Sequence, residues 1–264
     1  MKSLVNMFAA AAVAVVVSAG AAKAEDVIKF GVAAEDYKPF TSKDTSGKWV
    51  GWEVDLMDAV CKEMKVKCEL VPTSWDGIIP ALTSKKIDVI WSSMSITDER
   101  KKTIDFTDKY YNTPTVIIGP KDAKFGVTKD DLKGKIIGVQ ISTVHQAYVT
   151  KYYAEVAKEI KTYQTQDEAN NDLAAGRVDA VQADSIALNA FLITDQGACC
   201  DVKGTVPEDV AVLGLGVGGG IRKEDTDLKG KFNDAIKAVR ASGEYKTITD
   251  KYKADFGDID LYGG

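Results

Sequence analysis

Four short stretches of this chain carry residue types suited to holding a small charged molecule. The densest is Trp91-Ser92-Ser93-Met94-Ser95-Ile96-Thr97-Asp98-Glu99-Arg100. Ser92, Ser93 and Ser95 bring hydroxyls and backbone N–H groups to one place, and Arg100 sits a few residues on, within reach of them. A guanidinium grips a carboxylate by two parallel hydrogen bonds, with more direction than a lysine. Residues 98–102 also read as a solvated charge run. The second stretch, Gln140-Ile141-Ser142-Thr143, opens a helix whose free N–H groups and dipole suit an anion. Ser142 and Thr143 fit an ordinary N-cap equally well. In the third, Ala183-Asp184-Ser185, the Asp184 carboxylate can hold an ammonium group or cap the helix that follows. The fourth, Ala34-Glu35-Asp36-Tyr37, sets acidic groups beside an aromatic ring, and Trp75 is a second ring in reach. Two ring faces and a carboxylate suit a flat or cationic side chain. An anion site, a cation site and an aromatic clamp together describe a receptor for a free amino acid.

Each stretch follows a β-type run. Residues 27–33, 67–71 and 87–91 read as strands. Between them, residues 52–66 carry Leu56, Val60 and Met64 at every fourth position, with Met57 and Cys61 beside them, which is a helical period. Residues 75–84 and 97–102 are short helices. A second alternation follows: strands at 136–139, 161–163 and 178–182, helices at 144–158, 167–175 and 185–194. Residues 210–217 read as extended, within a cluster of glycines. Two amphipathic helices, 227–242 and 244–256, have no sheet of their own and should pack back on the first unit. The fold class is therefore α/β, with two lobes, each a mixed, mostly parallel sheet flanked by helices. Lobe I spans residues 25–113 and 212–264, and lobe II residues 114–211. Two crossings, near 113–116 and 210–214, make a hinge, and a hinge between such lobes is a ligand clamp. Ligands of open α/β sheets bind beyond the carboxyl ends of strands. Here those ends are Ala33, Ile90, Val139 and Gln182, where the four stretches begin.

The first 24 residues form a leader: a positive start at Lys2, an apolar run from Leu4 to Ala22, and Ala22-Lys23-Ala24 as a cleavage site. The mature protein then begins at Glu25 in the periplasm. Lys2 and Lys23 leave with the leader, so 32 of the 34 basic residues face all 39 acidic ones, a net charge of −7. Such a surface argues against nucleic acid or anionic lipid as a partner. Export makes a disulfide the default for Cys61 and Cys68, with two buried thiols as the alternative. Cys199 and Cys200 are adjacent and either bond to each other or stay free. One histidine, His145, and no G-x-S-x-G motif argue against zinc and against a nucleophilic triad. Neither a metal nor a cofactor is called for.

Beyond these readings, the whole mature chain resembles the polar amino-acid-binding proteins of ABC importers, with a type II periplasmic-binding-protein-like fold. The likeness is to the lysine/arginine/ornithine-, histidine- and octopine/nopaline-binding subgroup. It rests on Tyr37-Lys38-Pro39-Phe40, Val50-Gly51-Trp52-Glu53-Val54-Asp55-Leu56, Trp75-Asp76-Gly77-Ile78-Ile79-Pro80, the Ser92 to Arg100 run, Ala175-Gly176-Arg177-Val178-Asp179-Ala180 and Leu261-Tyr262-Gly263-Gly264. The resemblance implies that Arg100 binds the ligand's α-carboxylate, helped by the backbone of Ser95 and Thr143. It implies that Asp184 binds the α-ammonium with Ser93 and Ser95, and that Tyr37 and Trp75 sandwich a side chain whose end lies near Ser92. It also matches Cys61 and Cys68 to a subgroup disulfide. The subgroup's carboxylate for a distal cation falls here on Ala34, which leaves Glu35 or Asp36 to take that part, and Ile141 replaces a glycine. The implied function is capture of a basic amino acid by a monomer that hands it to a membrane permease. Two other readings share the scaffold. A dehydratase of the cyclohexadienyl type would need Glu35, Glu53 or Asp184 as a positioned acid. A sensor domain would need a separate signalling partner.

Overall fold

The computed structural model describes residues 27–256 and Leu261. The leader, its cleavage site and Tyr262-Gly263-Gly264 lie outside the described residues. The chain opens with β1 (Val27–Ala33), the small hairpin β2 (Ser42–Lys43) and β3 (Trp49–Val50), and helix α1 (Trp52–Met64). Strand β4 (Lys67–Thr73), α2 (Ile78–Thr83), β5 (Val89–Ile90), the single turn α3 (Asp98–Lys101) and β6 (Asp105–Phe106) complete the first pass. The chain then crosses to β7 (Thr115–Pro120), β8 (Ile136–Gln140), α4 (Val144–Tyr153), β9 (Glu159–Tyr163) and α5 (Gln166–Ala174). It continues through β10 (Ala180–Asp184), α6 (Ser185–Leu192), β11 (Cys200–Thr205) and α7 (Val210–Leu213). The return brings β12 (Gly220–Ile221), α8 (Thr226–Ala241), α9 (Glu244–Lys251) and α10 (Lys253–Phe256).

Two five-stranded sheets result, in the orders β4-β1-β5-β12-β6 and β11-β7-β10-β8-β9. Strand β1 pairs parallel with β4 and β5, and β8 pairs parallel with β9 and β10. Within these two sheets the antiparallel pairs all involve β12 or β7. These two strands sit next to the crossings, where the chain reverses. At the crossings themselves Tyr111 and Val217 form an antiparallel bridge, and the Val217 N–H donates to the Tyr111 carbonyl at 2.9 Å. Two connections held side by side can bend together.

Each sheet is apolar on both faces, as crossover helices require. Along β7, Ile118 joins Val181 and Leu188 on one face, and Ile117 joins Val139 and Tyr148 on the other. In α8, Phe232, Ala235, Ile236 and Val239 are buried at helical spacing and join Phe30, Trp52 and Trp91 of the first lobe. The C-terminal helices thus pack back on the first unit. Helix α1 starts at Gly51 because φ is +132° there and a Cβ would lie 2.2 Å from the Phe40 carbonyl oxygen. Cys61 at the end of α1 is bonded to Cys68 on β4, and Cys199 is bonded to Cys200.

Strand β11 was not read from the sequence, the helix read over 244–256 is divided into α9 and α10, and three further differences bear on the site. Residues 210–213 are helical, because the Asp209 carboxylate caps the turn by accepting from the Ala211 N–H at 3.1 Å. Gly214, at φ +89°, ends that turn where a Cβ would come within 2.5 Å of the Ile96 carbonyl oxygen. The second crossing therefore begins at Gly214, and α7 packs on α4. Helix α4 ends at Tyr153, not 158, because the Tyr153 carbonyl accepts from both Val156 and Ala157 in a closing turn. Strand β10 runs to Asp184 itself.

Candidate functional site

The carboxyl ends of β1, β5, β8 and β10 converge on a cavity between the lobes. It encloses about 520 Å³ of atom-free space, partly continuous with solvent. The first lobe contributes Glu35, Tyr37, Trp75, Ser92, Ser93, Ser95 and Arg100. The second contributes Thr143 and Asp184. These nine residues singled out from the sequence therefore line one cavity, whereas Asp36, the alternative to Glu35, lies outside it and accepts from the Lys43 N–H at 3.0 Å. Gln140, Val144, His145 and Gln166 join them.

The local backbone explains how these side chains are aimed. Ser93 and Ser142 are non-glycine residues in the left-handed region, at φ +54° and +60°. Such conformations persist only where surrounding contacts hold them, and they cluster at binding sites. The Ser142 N–H donates to Gln146 Oε1 at 2.7 Å, which turns the Ser142 carbonyl toward the opposite lobe. There it accepts from Trp75 Nε1 at 3.2 Å and from Arg100 Nη2 at 3.4 Å. Thr97 caps α3 by accepting from the Arg100 N–H, and Arg100 Nη1 donates to the Ser95 carbonyl at 2.9 Å. The guanidinium also lies 5.6 Å over the Trp75 ring. Of its five N–H donors, two are thus taken by carbonyls. Thr143 caps α4, so the first N–H groups of that ten-residue helix open beside Arg100.

Asp184 ends β10 and makes no capping bond to α6. Its Oδ2 accepts from the Tyr37 hydroxyl at 2.7 Å, and its Oδ1 lies 3.6 Å from His145 Nε2. Glu35 Oε1 accepts from Gln140 Nε2 at 3.1 Å. Among the described residues, four hydrogen bonds join the lobes across the cavity: Tyr37 to Asp184, Trp75 and Arg100 to Ser142, and Gln140 to Glu35.

Burial sets the protonation states. It pulls the Arg100 guanidinium down to about 10, with the Asp184 charge opposing, so Arg100 stays cationic at neutral pH. Burial, reinforced by Asp184, raises the Tyr37 phenol well above its usual value and keeps it a donor. Burial also pushes the Glu35 carboxyl up, against its bond to Gln140, while Asp76 and Glu168 add like charge. A desolvated carboxylate in a negative field is relieved by a cation. Among the described residues, no group of three or more His, Cys, Asp or Glu is placed to hold a metal ion.

Residues 28–255 match the bacterial extracellular solute-binding proteins, family 3. The chain belongs to this family. The L-arginine-binding protein of Pseudomonas aeruginosa is 45% identical to this solute-binding protein over 241 residues, 91% of either chain. An ancestral arginine-binding protein solved bound to arginine has a TM-score of 0.79 at 34% identity, covering 86% of this chain and 97% of its own. An ancestral amino-acid-binding protein that is a precursor of cyclohexadienyl dehydratase reaches 0.76 at 33%, covering 86% and 95%. No helix among the described residues is long and apolar enough to cross a membrane.

Reading the sequence left out His145 and Gln166, and it left out the Ser142 carbonyl. His145 and Gln166 occupy the first turns of α4 and α5, the helices that follow β8 and β9. The rule that found Thr143 extends to them: the first turn of a helix after a strand exit faces the cleft. The solute-binding protein's Ser142 carbonyl leaves no residue-type signal, because any residue carries one.

Proposed function

We propose that this solute-binding protein captures a free basic amino acid, arginine foremost, by closing its lobes on it, and delivers it to an ABC importer. One observation carries the reading: a single cleft holds a cationic Arg100 from one lobe and an Asp184 carboxylate from the other. Arg100 receives the α-carboxylate, with N–H groups at Ser95 and Thr143. Asp184 and Ser93 receive the α-ammonium. The Tyr37 and Trp75 rings hold the side chain between them, with Ser92 near its end. Glu35 receives the distal cation, which the environment of its carboxyl favours. The arginine-binding proteins among the relatives support the choice of ligand.

The working protein is a periplasmic monomer freed of residues 1–24 by cleavage after Ala24, hinged at the paired crossings, with residues 114–213 as the moving second lobe. It binds without turnover, in contrast to the dehydratase alternative.

The test is a screen of purified residues 25–264 against the twenty amino acids by thermal shift and calorimetry. Arginine should bind one to one and raise the melting temperature by mass action. A response confined to acidic amino acids, or turnover of arogenate or prephenate, would overturn the reading.

A further inference from the structure

Behind the cavity, outside its lining, lies a fully buried carboxyl group that the site described above does not use. Glu53 is the second residue of α1 and is 0% exposed. Its Oε1 accepts from the Ser93 backbone N–H at 2.8 Å and from the Tyr110 hydroxyl. Its Oε2 accepts from the Ser93 hydroxyl at 2.9 Å. Glu53 therefore holds both donors of one cavity residue, and that residue has the left-handed backbone at φ +54°.

A carboxylate only accepts, whereas a serine hydroxyl has one proton to give and two lone pairs. The Ser93 proton goes to Glu53, so Ser93 offers the cavity lone pairs alone. We infer that Glu53 is a positioning residue that fixes the polarity of the Ser93 hydroxyl, making Ser93 an obligate acceptor for the ligand's α-ammonium. The inference rests on the amino-acid reading above, with the ammonium between Asp184 and Ser93.

The surroundings of Glu53 agree. The titratable groups that face it are Tyr110, Tyr111 and Tyr37, all held protonated by burial, together with the Asp184 carboxylate. Burial pushes Glu53 up to about 7, with its bonds to Tyr110 and Ser93 opposing and Asp184 reinforcing. An ammonium on Ser93 brings a counter-charge to this carboxylate through one hydroxyl, and so favours its ionised form.

The test is Glu53→Gln. The Ser93 N–H still needs an acceptor, so the amide oxygen keeps the Oε1 place and the amide NH₂ faces the Ser93 oxygen. The hydroxyl proton must then turn into the cavity. Affinities are measured by calorimetry at pH 8 for arginine and for its α-hydroxy analogue. Wild type, Glu53→Gln, Ser93→Ala and the double variant are compared. Glu53→Gln should weaken arginine by about 10- to 100-fold and the hydroxy analogue by less than about threefold, because only the ammonium cannot accept a proton. On the Ser93→Ala background the same change should cost arginine less than about twofold. Equal losses for both ligands, an undiminished loss without Ser93, or no loss at all would each refute the inference.

A second measurement needs no Glu53 variant. Arginine affinity of wild type should rise about tenfold from pH 6 to pH 8 as Glu53 ionises, and this rise should be absent in Ser93→Ala. His145 is present in both proteins, so their difference isolates Glu53. Equal profiles in the two proteins would overturn the inference. A wild type that binds no amino acid at any pH would sink the functional reading and this inference with it. Binding that is lost in Asp184→Asn but indifferent to Glu53→Gln would sink the inference alone.

Discussion

Glu35→Gln isolates the side-chain specificity of the cleft. The substitution exchanges one oxygen for an NH₂ group and keeps an oxygen to accept from Gln140 Nε2, now at 3.1 Å from Glu35 Oε1. The cross-lobe bond can therefore survive while the charge does not. Two opposite charges about 4 Å apart in a partly desolvated site attract by roughly 4 kcal/mol before the cost of stripping water from the cation. A hydrogen bond to a charged group has a net worth of about 1.5–3 kcal/mol, which corresponds to about a 10- to 100-fold change in affinity. Arginine should lose that much. Citrulline, its neutral near-isostere, has no charge to lose and should shift by less than about threefold. Calorimetry with both ligands at pH 7.5 separates the cases. Parallel losses would mean that Glu35 serves the frame of the site, and unchanged arginine affinity would mean that another group takes the distal cation.

Arg100→Lys keeps the charge but loses the planar fork and its hold on the Ser95 and Ser142 carbonyls. Every amino acid tested by calorimetry should bind about 100-fold more weakly, and retention within about threefold would refute the carboxylate assignment. Replacing Cys61 and Cys68 by serine opens a bridge of sequence separation 7 between α1 and β4. It should cost about 2–3 kcal/mol of stability, read from the denaturant midpoint in ligand-free protein. The unfolded-state value for Glu53 is near 4.5 and its folded value about 7, so the folded protein binds that proton more tightly. Its contribution is complete below pH 4.5 and is lost as the pH rises to 7, by roughly 3 kcal/mol. Denaturant unfolding from pH 5 to 8 should show this fall in wild type relative to Glu53→Gln. Parallel curves would place Glu53 in a more polar environment.

Much of this site was legible because strand exits are legible. The apolar runs ending at Ala33, Ile90 and Val139 mark where the chain leaves a sheet, and open α/β sheets bind ligands there. Ser92, Ser93, Ser95, Thr143 and Glu35 follow from that rule with no knowledge of tertiary structure. The final helices were legible because the spacing of Phe232, Ala235, Ile236 and Val239 demands a partner surface. The turn at Val210–Leu213 was not, because it depends on where the Asp209 side chain goes: its Oδ1 caps the turn, while its Oδ2 also accepts from Lys151 and Tyr152. Glu53 was named only as a candidate acid, and its burial beneath Ser93 was not legible for a related reason. Nothing in the residue types of the Trp52-Glu53-Val54-Asp55 run separates its two acids. Only the placement of α1 against Trp91 and Tyr110 turns Glu53 inward and leaves Asp55 to pair with Lys251 at the surface.

The pattern of bonds across the cleft bears on how capture and closure divide. Of the four cross-lobe hydrogen bonds, Trp75 to Ser142 joins neutral groups and is worth about 1 kcal/mol net, while those of Tyr37, Gln140 and Arg100 each involve a charged group. They favour the closed side of an open–closed equilibrium, against the hinge freedom that closure costs. Moving such an equilibrium from 1:99 to 99:1 takes about 5.5 kcal/mol of preference for the closed state. On the proposed reading, a ligand that docks first on Arg100, Trp75 and Tyr37 gains nothing from closure through those contacts, because one lobe holds them all. The preference must come from the second lobe, through Asp184 and the N-terminus of α4. Two charge-assisted contacts of about 1.5–3 kcal/mol each are of the right size. Arg100 and the rings then govern whether a molecule is held at all. Asp184, seated at the strand end nearest the hinge, governs whether the lobes stay shut on it.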